Sequence, residues 1–414
     1  MRTVDGRRVH VLDQGQYNNN AGPDFFNAKI NIDGELWGGD VEIHVKASDW
    51  YRHHHDSDNS YRSVILHVVG KDDAEVTLPG TTQVVPQIKL SCSDDFMRYH
   101  GHLMDNSINS LPCGDDLEKL GEINVADWIT ALAFERIIEK SERIERLLSA
   151  TTNNWEEVCY ITLARALGTG TNGDPFQRLA MSVPLRVLGK HSDNLMAIES
   201  LLFGNAGLLD NIVADNAYQS RLKEEYDFLC NKFGLSRPVN LNWKMARMRP
   251  ANFPHRRIAL LAAFVNGGFR LTTDLLKAET VDDAKNCFRK EAKGYWAHHY
   301  NFSGASVSST GSLSNSTLES LVINVAVPFL YTYSCRHLTG HDAEELQDRI
   351  VGWLEQLAPE KNFITTMFAG KGLKCKNAFV SQAMIQLRRN YCENRKCIYC
   401  RIGHKLLSSK IKIG

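Results

Sequence analysis

The chain has 414 residues, enough for about three domains of ordinary size, and its 43% hydrophobic and 23% charged residues are typical of globular proteins. This composition excludes a small disulfide-stapled module and widespread disorder. The longest uninterrupted apolar run covers residues 258–265, whereas a bilayer span needs roughly 18 apolar residues. Because the N-terminus also lacks the apolar stretch of a secretory signal, we expect a cytoplasmic protein with reduced cysteines.

The net charge is zero, but charge is unevenly distributed along the chain. Residues 371–414 contain eleven Lys and Arg and one Glu, a net charge of +10. Such a tail is suited to a polyanion, and nucleic acid is the expected partner. The first 70 residues contain ten acidic side chains, seven basic ones and six of the 15 histidines. This end of the chain could hold a cation.

Short strand-like runs separated by Gly, Asn and Asp dominate the first 90 residues, with Asp33-Gly34 as a hairpin turn signal. From about Leu117 the apolar period becomes that of helices. The sequence therefore predicts an α+β protein with a mixed N-terminal domain over residues 1–110, a helical region over 111–370 and a basic, Cys-rich segment over 371–414. The predicted strands are residues 7–12, 28–32, 40–46, 63–69 and 74–78. The predicted helices are residues 128–148, 155–167, 175–188, 194–203, 218–233, 256–265, 318–333, 342–357 and 377–391, and the Ser/Gly-rich residues 302–316 are predicted to form a mobile loop.

The strand over residues 40–46 alternates polar and apolar side chains. Glu42, His44 and Lys46 therefore share one face, which we expect to be a polar site face backed by an apolar core face. Asp24 begins the preceding strand, so its carboxylate is expected to approach that of Glu42. Two close carboxylates suit Mg²⁺ or Mn²⁺, and His44 or Lys46 would orient or deprotonate an attacking water. A half-exposed strand without chemistry is the other interpretation.

A dense polar run, residues 49–58, follows that strand and contains His53, His54 and His55. Its imidazoles and carboxylates could complete a metal site or contact a phosphate, and a solvated surface is an equally good interpretation. His67 lies inside an apolar strand, where a buried, hydrogen-bonded histidine is the better expectation.

The order of these features resembles the core of the PD-(D/E)XK nuclease superfamily. In that superfamily an Asp opens one strand, an acid-x-Lys motif lies on the next, and a helix and a further strand follow. Here Asp24 and Glu42 match the acids, His44 occupies the Lys position, and Lys46 follows on the same face. The resemblance implies a restriction-endonuclease-like fold and metal-dependent phosphodiester hydrolysis.

Longer motifs across the chain resemble an uncharacterised bacterial family, domain of unknown function 2851. That resemblance brings no established function. The motifs are N-x-x-A-G-P-D-F at 18–25, G-D-V-E-I-H at 39–44, S-D-W at 48–50, V-I-L-H-V-V at 64–69, R-x-R-P-x-N-F-P at 247–254 and C-x-x-C-x-I-G at 397–403.

The C-terminal segment contains a compact set of soft and borderline metal ligands. Their number and type match a closed, structural Zn²⁺ site, although three reduced thiols at a helix end are an equally simple interpretation and a redox pair fits less well. Interleaved arginines could pair with phosphates, while a solvated basic tail is the alternative. The candidate Zn²⁺ ligands are Cys392, Cys397, Cys400 and His404, and the candidate nucleic-acid contacts are Arg388, Arg389, Arg395 and Arg401.

Together these features predict a metal-dependent nuclease, or a nucleic-acid-binding protein derived from one. A non-catalytic helical interaction scaffold is the main alternative. A hydrolase that acts on a small phosphorylated substrate through the His and Asp run is the third.

Overall fold

The protein is α+β, as the sequence predicts. The computed structural model describes residues 1–18, 21–90, 94–105, 111, 113–119, 122–238, 241–305 and 312–409. The chain forms two compact units, one of Met1–Ser107 with Gly403–Gly414 and one of Ile108–Ile402. Residues 371–402 of the basic segment thus belong to the second unit.

The first unit is built on a six-stranded mixed sheet. Its order is β1-β3-β4-β5-β6, with β2 paired to β3. The pairs among β1 to β4 are antiparallel, and β4–β5 and β5–β6 are parallel. The strands are β1 (Val9–Asp13), β2 (Gln16–Tyr17), β3 (Phe25–Ile32), β4 (Glu35–Lys46), β5 (Val64–Lys71) and β6 (Gln87–Lys89).

Four of the predicted strands are confirmed, and the predicted turn at Asp33-Gly34 joins β3 to β4. The predicted strand over residues 74–78 is wrong, since only an isolated bridge from Thr77 to Val84 forms there. Val76 is nevertheless fully buried. The apolar pattern of this segment therefore reflects packing beneath a loop, and the short strand β6 pairs with β5 instead.

Parallel strands need a crossover connection, and residues 47–63 supply it between β4 and β5. The crossover contains the short helix α1 (Asp49–Arg52) and a 3-10 turn, Asn59–Tyr61. Trp50 of α1 is completely buried in a core with Tyr61, Val64, Val76 and Val85. This packing holds the crossover over one face of the sheet.

The two faces of β4 differ from the expected arrangement. Glu42 and His44 are buried, whereas Ile43 is 46% exposed and Val45 is 77% exposed. The expectation that the apolar side of this strand end is the core face was therefore wrong. The reason is that the crossover covers the polar side of the strand and thereby buries Glu42 and His44.

The second unit is mainly helical, and eight of the nine predicted helical segments are present without a break. The segment predicted over 175–188 is divided at Val183 and Pro184 into two helices, Thr169–Ser182 and Leu185–Leu188. One stretch, Asn315–His337, is long and apolar enough to cross a membrane, but 67% of its apolar window is buried, as expected of a core helix. Of the predicted loop over 302–316, residues 306–311 lie outside the described part of the chain. After α2 (Asp94–Asp105) of the first unit, the helices of the second unit are α3 (Glu122–Ala150), α4 (Trp155–Leu167), α5 (Thr169–Ser182), α6 (Leu185–Leu188), α7 (Leu195–Asn205), α8 (Ala217–Phe233), α9 (Pro254–Val265), α10 (Leu271–Lys277), α11 (Val281–Cys287), α12 (Asn315–Leu321), α13 (Val327–His337), α14 (His341–Gln356), α15 (Phe363–Ala369) and α16 (Ala378–Gln386), with a small hairpin of β7 (His299–Asn301) and β8 (Gly304–Ala305). The last helix is α17 (Arg401–Ser408), whose residues from Gly403 onward belong to the first unit.

The close approach of β4 to β5 generates a prediction about Gly39. A Cβ at this position would lie 2.5 Å from the Ser63 carbonyl oxygen and 2.5 Å from Cγ2 of Ile65. We expect Gly39→Ala to lower the free energy of unfolding by about 2 kcal/mol or more, because backbone has to move. The matched control is Gly38→Ala, where no atom lies within 4 Å of the added carbon. Equal losses in urea unfolding of the two variants would contradict this packing.

Candidate metal centre

A β-bulge brings the two predicted carboxylates together. The β3–β4 register shifts between Phe25 and Ala28, and Asn27 has a left-handed φ of 57°. The Asn27 amide donates to Oδ1 of Asp40 at 3.0 Å, and the Ser63 hydroxyl donates to Oδ2 of Asp40 at 2.5 Å. The buried Asp40 thus fixes the bulge to both neighbouring strands. Bulges of this kind commonly re-aim side chains at functional sites.

Asp24 and Glu42 are joined through reciprocal backbone contacts. The Asp24 amide donates to Oε2 of Glu42 at 3.1 Å, and the Ile43 amide donates to Oδ2 of Asp24 at 2.9 Å. Burial, and secondarily the charge of Asp24, raise the pKa of Glu42 to about 7. The two carboxylates are therefore close neighbours, as expected, and Oε1 of Glu42 remains directed at other groups.

Two imidazoles face that Oε1 atom, and a third adjoins one of them. Nε2 of His44 lies 3.4 Å from it and Nε2 of His55 lies 3.3 Å from it. Nδ1 of His53 lies 3.2 Å from Nε2 of His44, and one nitrogen from each of the three rings falls within 4.8 Å of the others. Ligand atoms at 2.0–2.1 Å from a tetrahedral ion are about 3.3–3.4 Å apart. Three pairs among these four atoms have that spacing. The three imidazoles form the compact group, and Glu42 adjoins two of them.

A buried hydrogen-bond chain sets the tautomer of His44. The Gln87 amide nitrogen donates to Oδ1 of Asp72 at 3.2 Å and to the Ala74 carbonyl at 3.0 Å, so its Oε1 faces His67. Nδ1 of His67 lies 2.9 Å from that oxygen and must donate to it. Nε2 of His67, 2.8 Å from Nδ1 of His44, is then the acceptor. Nε2 of His44 consequently carries a lone pair, which faces Nδ1 of His53 and which a metal could use.

The environment keeps the buried imidazoles neutral. Burial, together with neighbouring imidazoles, lowers the pKa of His44 to about 4, and burial also lowers the pKa of His55 and of His67. His55 stacks on Tyr61 with ring centroids 3.7 Å apart. Neutral imidazoles with fixed orientations are ready to bind a cation.

Two other residues predicted near the site lie away from this cluster. Lys46 is exposed at the end of β4, where it adds a small electrostatic contribution to the pKa of Asp73, which is lowered mainly by the Ser48 amide. His54 is exposed, with a left-handed φ of 62°. Because of this turn, the His54 side chain lies apart from the side chains of His53 and His55.

The predicted C-terminal contact residues differ in their environments. Arg388 is 4% exposed and lies 3.4 Å from Glu393. Arg401 pairs with Asp127 and lies 5.0 Å from the centre of the Trp128 ring. The side chains of Arg389 and Arg395 are exposed. Of the four arginines only Arg388 is buried, so a large ligand could reach the other three.

The raised pKa of Glu42 generates a prediction for the metal-free protein. The pKa of Glu42 is 4.5 in the unfolded chain and about 7 in the folded protein. The stability that the protonated side chain contributes is therefore lost as pH rises through about 7. Glu42→Gln cannot ionise. In chelator at about pH 8 we expect this variant to be more stable than the wild type by about 2 kcal/mol, with the difference vanishing near pH 4.5. Urea unfolding tests this, with exposed Glu35→Gln as control. A loss of stability in Glu42→Gln at both pH values would contradict the buried-carboxylate assignment.

A protein-family model matches most of the chain. Residues 1–363 match the family described as "Protein of unknown function (DUF2851)". No curated protein and no solved structure is significantly similar to the chain. The matched region contains the whole histidine cluster. The chain therefore belongs to this family of unknown function.

Proposed function

We propose that the first unit is a metal-dependent hydrolase that cleaves phosphodiester bonds. The observation that carries the proposal is the cluster of His44, His53 and His55, whose ligand nitrogens lie within 4.8 Å of one another. Oε1 of Glu42 lies 3.3–3.4 Å from Nε2 of His44 and of His55. His53 is exposed, whereas Glu42, His44 and His55 are polar groups buried beside one another. A bound cation would relieve the cost of burying them.

The ligand set bears on the choice of ion. Three imidazoles and one carboxylate suit Zn²⁺ or Mn²⁺, whereas Mg²⁺ prefers an all-oxygen shell that keeps several waters. We therefore favour Zn²⁺ or Mn²⁺ over the Mg²⁺ that the two carboxylates alone suggest. Because Glu42 must lose its proton to bind, affinity for the ion should rise with pH through about 7.

Each residue then has a distinct task in hydrolysis. An ion that accepts a fifth ligand beside the three imidazoles and Glu42 would lower the pKa of a water bound there and polarise a phosphate oxygen. Asp24, held at its Oδ2 by the Ile43 amide, would receive the proton of that water. His67 and Gln87 would hold His44 in the tautomer that binds the ion. The resulting hydroxide would attack phosphorus as the bond from phosphorus to the leaving oxygen breaks. That oxygen would take a proton from solvent, to which Asp24 returns its own.

Two observations favour a phosphodiester substrate. The first is the order of Asp24 just before β3, Glu42 on β4, the helix α1 and the strand β5, which resembles the PD-(D/E)XK pattern with imidazoles in place of its lysine. The second is the net charge of +10 over residues 371–414, which could retain a polynucleotide.

Cleavage assays on the metal-free full chain, restored with Mn²⁺, Zn²⁺ or Mg²⁺, test the proposal. The substrates are single-stranded, duplex and branched DNA, and RNA. We expect cleavage with Mn²⁺ or Zn²⁺ and a loss of about 100-fold or more in Asp24→Ala, Glu42→Ala and His55→Ala.

Matched controls are Glu35→Ala, at the exposed start of β4, and His54→Asn, between the two metal-binding histidines; both should retain activity. Cleavage that persists in all three site variants would show a contaminating nuclease. Metal binding without cleavage of any polymer would reject the nuclease proposal and favour a nucleic-acid-binding or scaffold role.

A further inference from the structure

A second group of metal-ligating side chains lies in the second unit, separate from the histidine cluster. It consists of four cysteines from two distant parts of the chain. We propose that Cys113, Cys392, Cys397 and Cys400 form a structural, four-thiolate Zn²⁺ site. Cys113 thus replaces His404, the fourth ligand that the spacing of the C-terminal residues suggests.

Local backbone structure folds the three C-terminal cysteines into a compact knuckle. The helical turn Leu387–Cys392 ends at Cys392, whose carbonyl accepts from the Arg395 amide at 3.2 Å. Arg395 has a left-handed φ of 53°, and the Cys400 amide then donates to the Lys396 carbonyl at 3.0 Å. The chain reverses direction here, which returns Cys400 toward Cys392. Zinc knuckles use such tight turns between ligands.

Cys113 approaches from a segment that is far away in sequence. Its carbonyl accepts from the Asp116 amide at 3.1 Å, at the start of the 3-10 helix Gly114–Lys119. The side chain of Lys371 lies directly over Gly114, and its Nζ is 2.5 Å from Oδ1 of Asp115. These contacts attach the Cys113 turn to the C-terminal part of the second unit.

The four thiols are mutual neighbours. Burial raises the pKa of Cys113 to about 12, and Cys400 and Cys397 raise it further. Burial likewise raises the pKa of Cys392, with added contributions from Cys113, Cys400 and Cys397, and Cys400 acts in the same way on Cys397. Every pair among the four therefore interacts. Cys400 is buried and the other three are half-buried. A group of thiols from distant segments is the arrangement that a thiophilic ion requires.

Nearby cations would offset the charge of the loaded site. Zn²⁺ with four thiolates has a net charge of about −2. Arg388 lowers the pKa of Cys392 and Arg395 lowers the pKa of Cys397, although in each case burial is the larger and opposing effect. Two of the arginines expected to contact nucleic acid thus have a second role beside the thiols.

Two further facts define the proposed site. All four cysteines belong to the second unit, whereas His404 belongs to the first and is exposed. Among the described residues, the histidine cluster alone brings three ligand atoms within 4.8 Å of one another. The thiol cluster is therefore more open, and its side chains would rotate inward as the ion displaces their protons.

Cobalt substitution of the full chain tests the proposal, because thiolate ligands give Co²⁺ a sulfur-to-metal charge-transfer band that imidazoles do not. The histidine cluster cannot produce this band, so the test is independent of the proposed hydrolase. We expect Cys113→Ser to weaken the band per bound ion by about one quarter, since one of four sulfur ligands is lost. His404→Ala and the control Cys335→Ser, an exposed thiol, should leave it unchanged.

A second measurement needs no variant. In the native Zn²⁺-loaded protein, four thiols should react with a thiol reagent only after a chelator removes the ion. Three such thiols together with a weaker band in His404→Ala would restore His404 as the fourth ligand and overturn the proposal. Absence of any sulfur charge-transfer band would overturn it as well.

Discussion

The parallel pairing of β4 with β5 is the constraint on which the first unit depends. It places Glu42 beside His67 and His44 beside Val69, and it requires a crossover long enough to reverse the chain direction. The crossover brings His53 and His55 onto the face that Glu42 and His44 occupy. Trp50, completely buried beneath it, holds the crossover in place. The strand pairing that builds the sheet therefore also assembles the four candidate ligands.

Burying these ligands opposes folding of the metal-free protein. Glu42 is 5% exposed and His44 is 9% exposed, and both have pKa values displaced toward their neutral forms. Acid conditions would protonate His44, and alkaline conditions would ionise Glu42. Each change would lower the free energy of unfolding. A divalent ion removes both penalties, because it binds the ionised carboxylate and the neutral imidazoles together. Stability and function are thus coupled through the same atoms.

The sequence predicted most of the secondary structure, because periodicity in long helices and alternation in strands are strong local signals. It also indicated Asp24, Glu42 and His44, since strand alternation places the last two on one face. It could not show which face of β4 is buried, because that depends on the crossover. Lys46 matched the alternation, yet the strand ends there and leaves it exposed.

Long-range contacts limited the remaining predictions. The His-rich run was recognised as a possible metal site, but the separation of His54 from its two neighbours depends on one left-handed residue. Gln87 gave no signal, since its role arises from hydrogen bonds to β5 and the following loop. Cys113 lies almost 280 positions before Cys392, so only the folded chain reveals their proximity.

The most direct test of the histidine centre is the anomalous diffraction signal of crystals loaded with Mn²⁺ or Zn²⁺. Our interpretation predicts a peak in the first unit about 2.0–2.2 Å from Oε1 of Glu42 and from one nitrogen each of His44, His53 and His55. A peak coordinated by the carboxylates of Asp24 and Glu42 and by waters, with no imidazole bound, would contradict it. So would the absence of any peak beside Glu42.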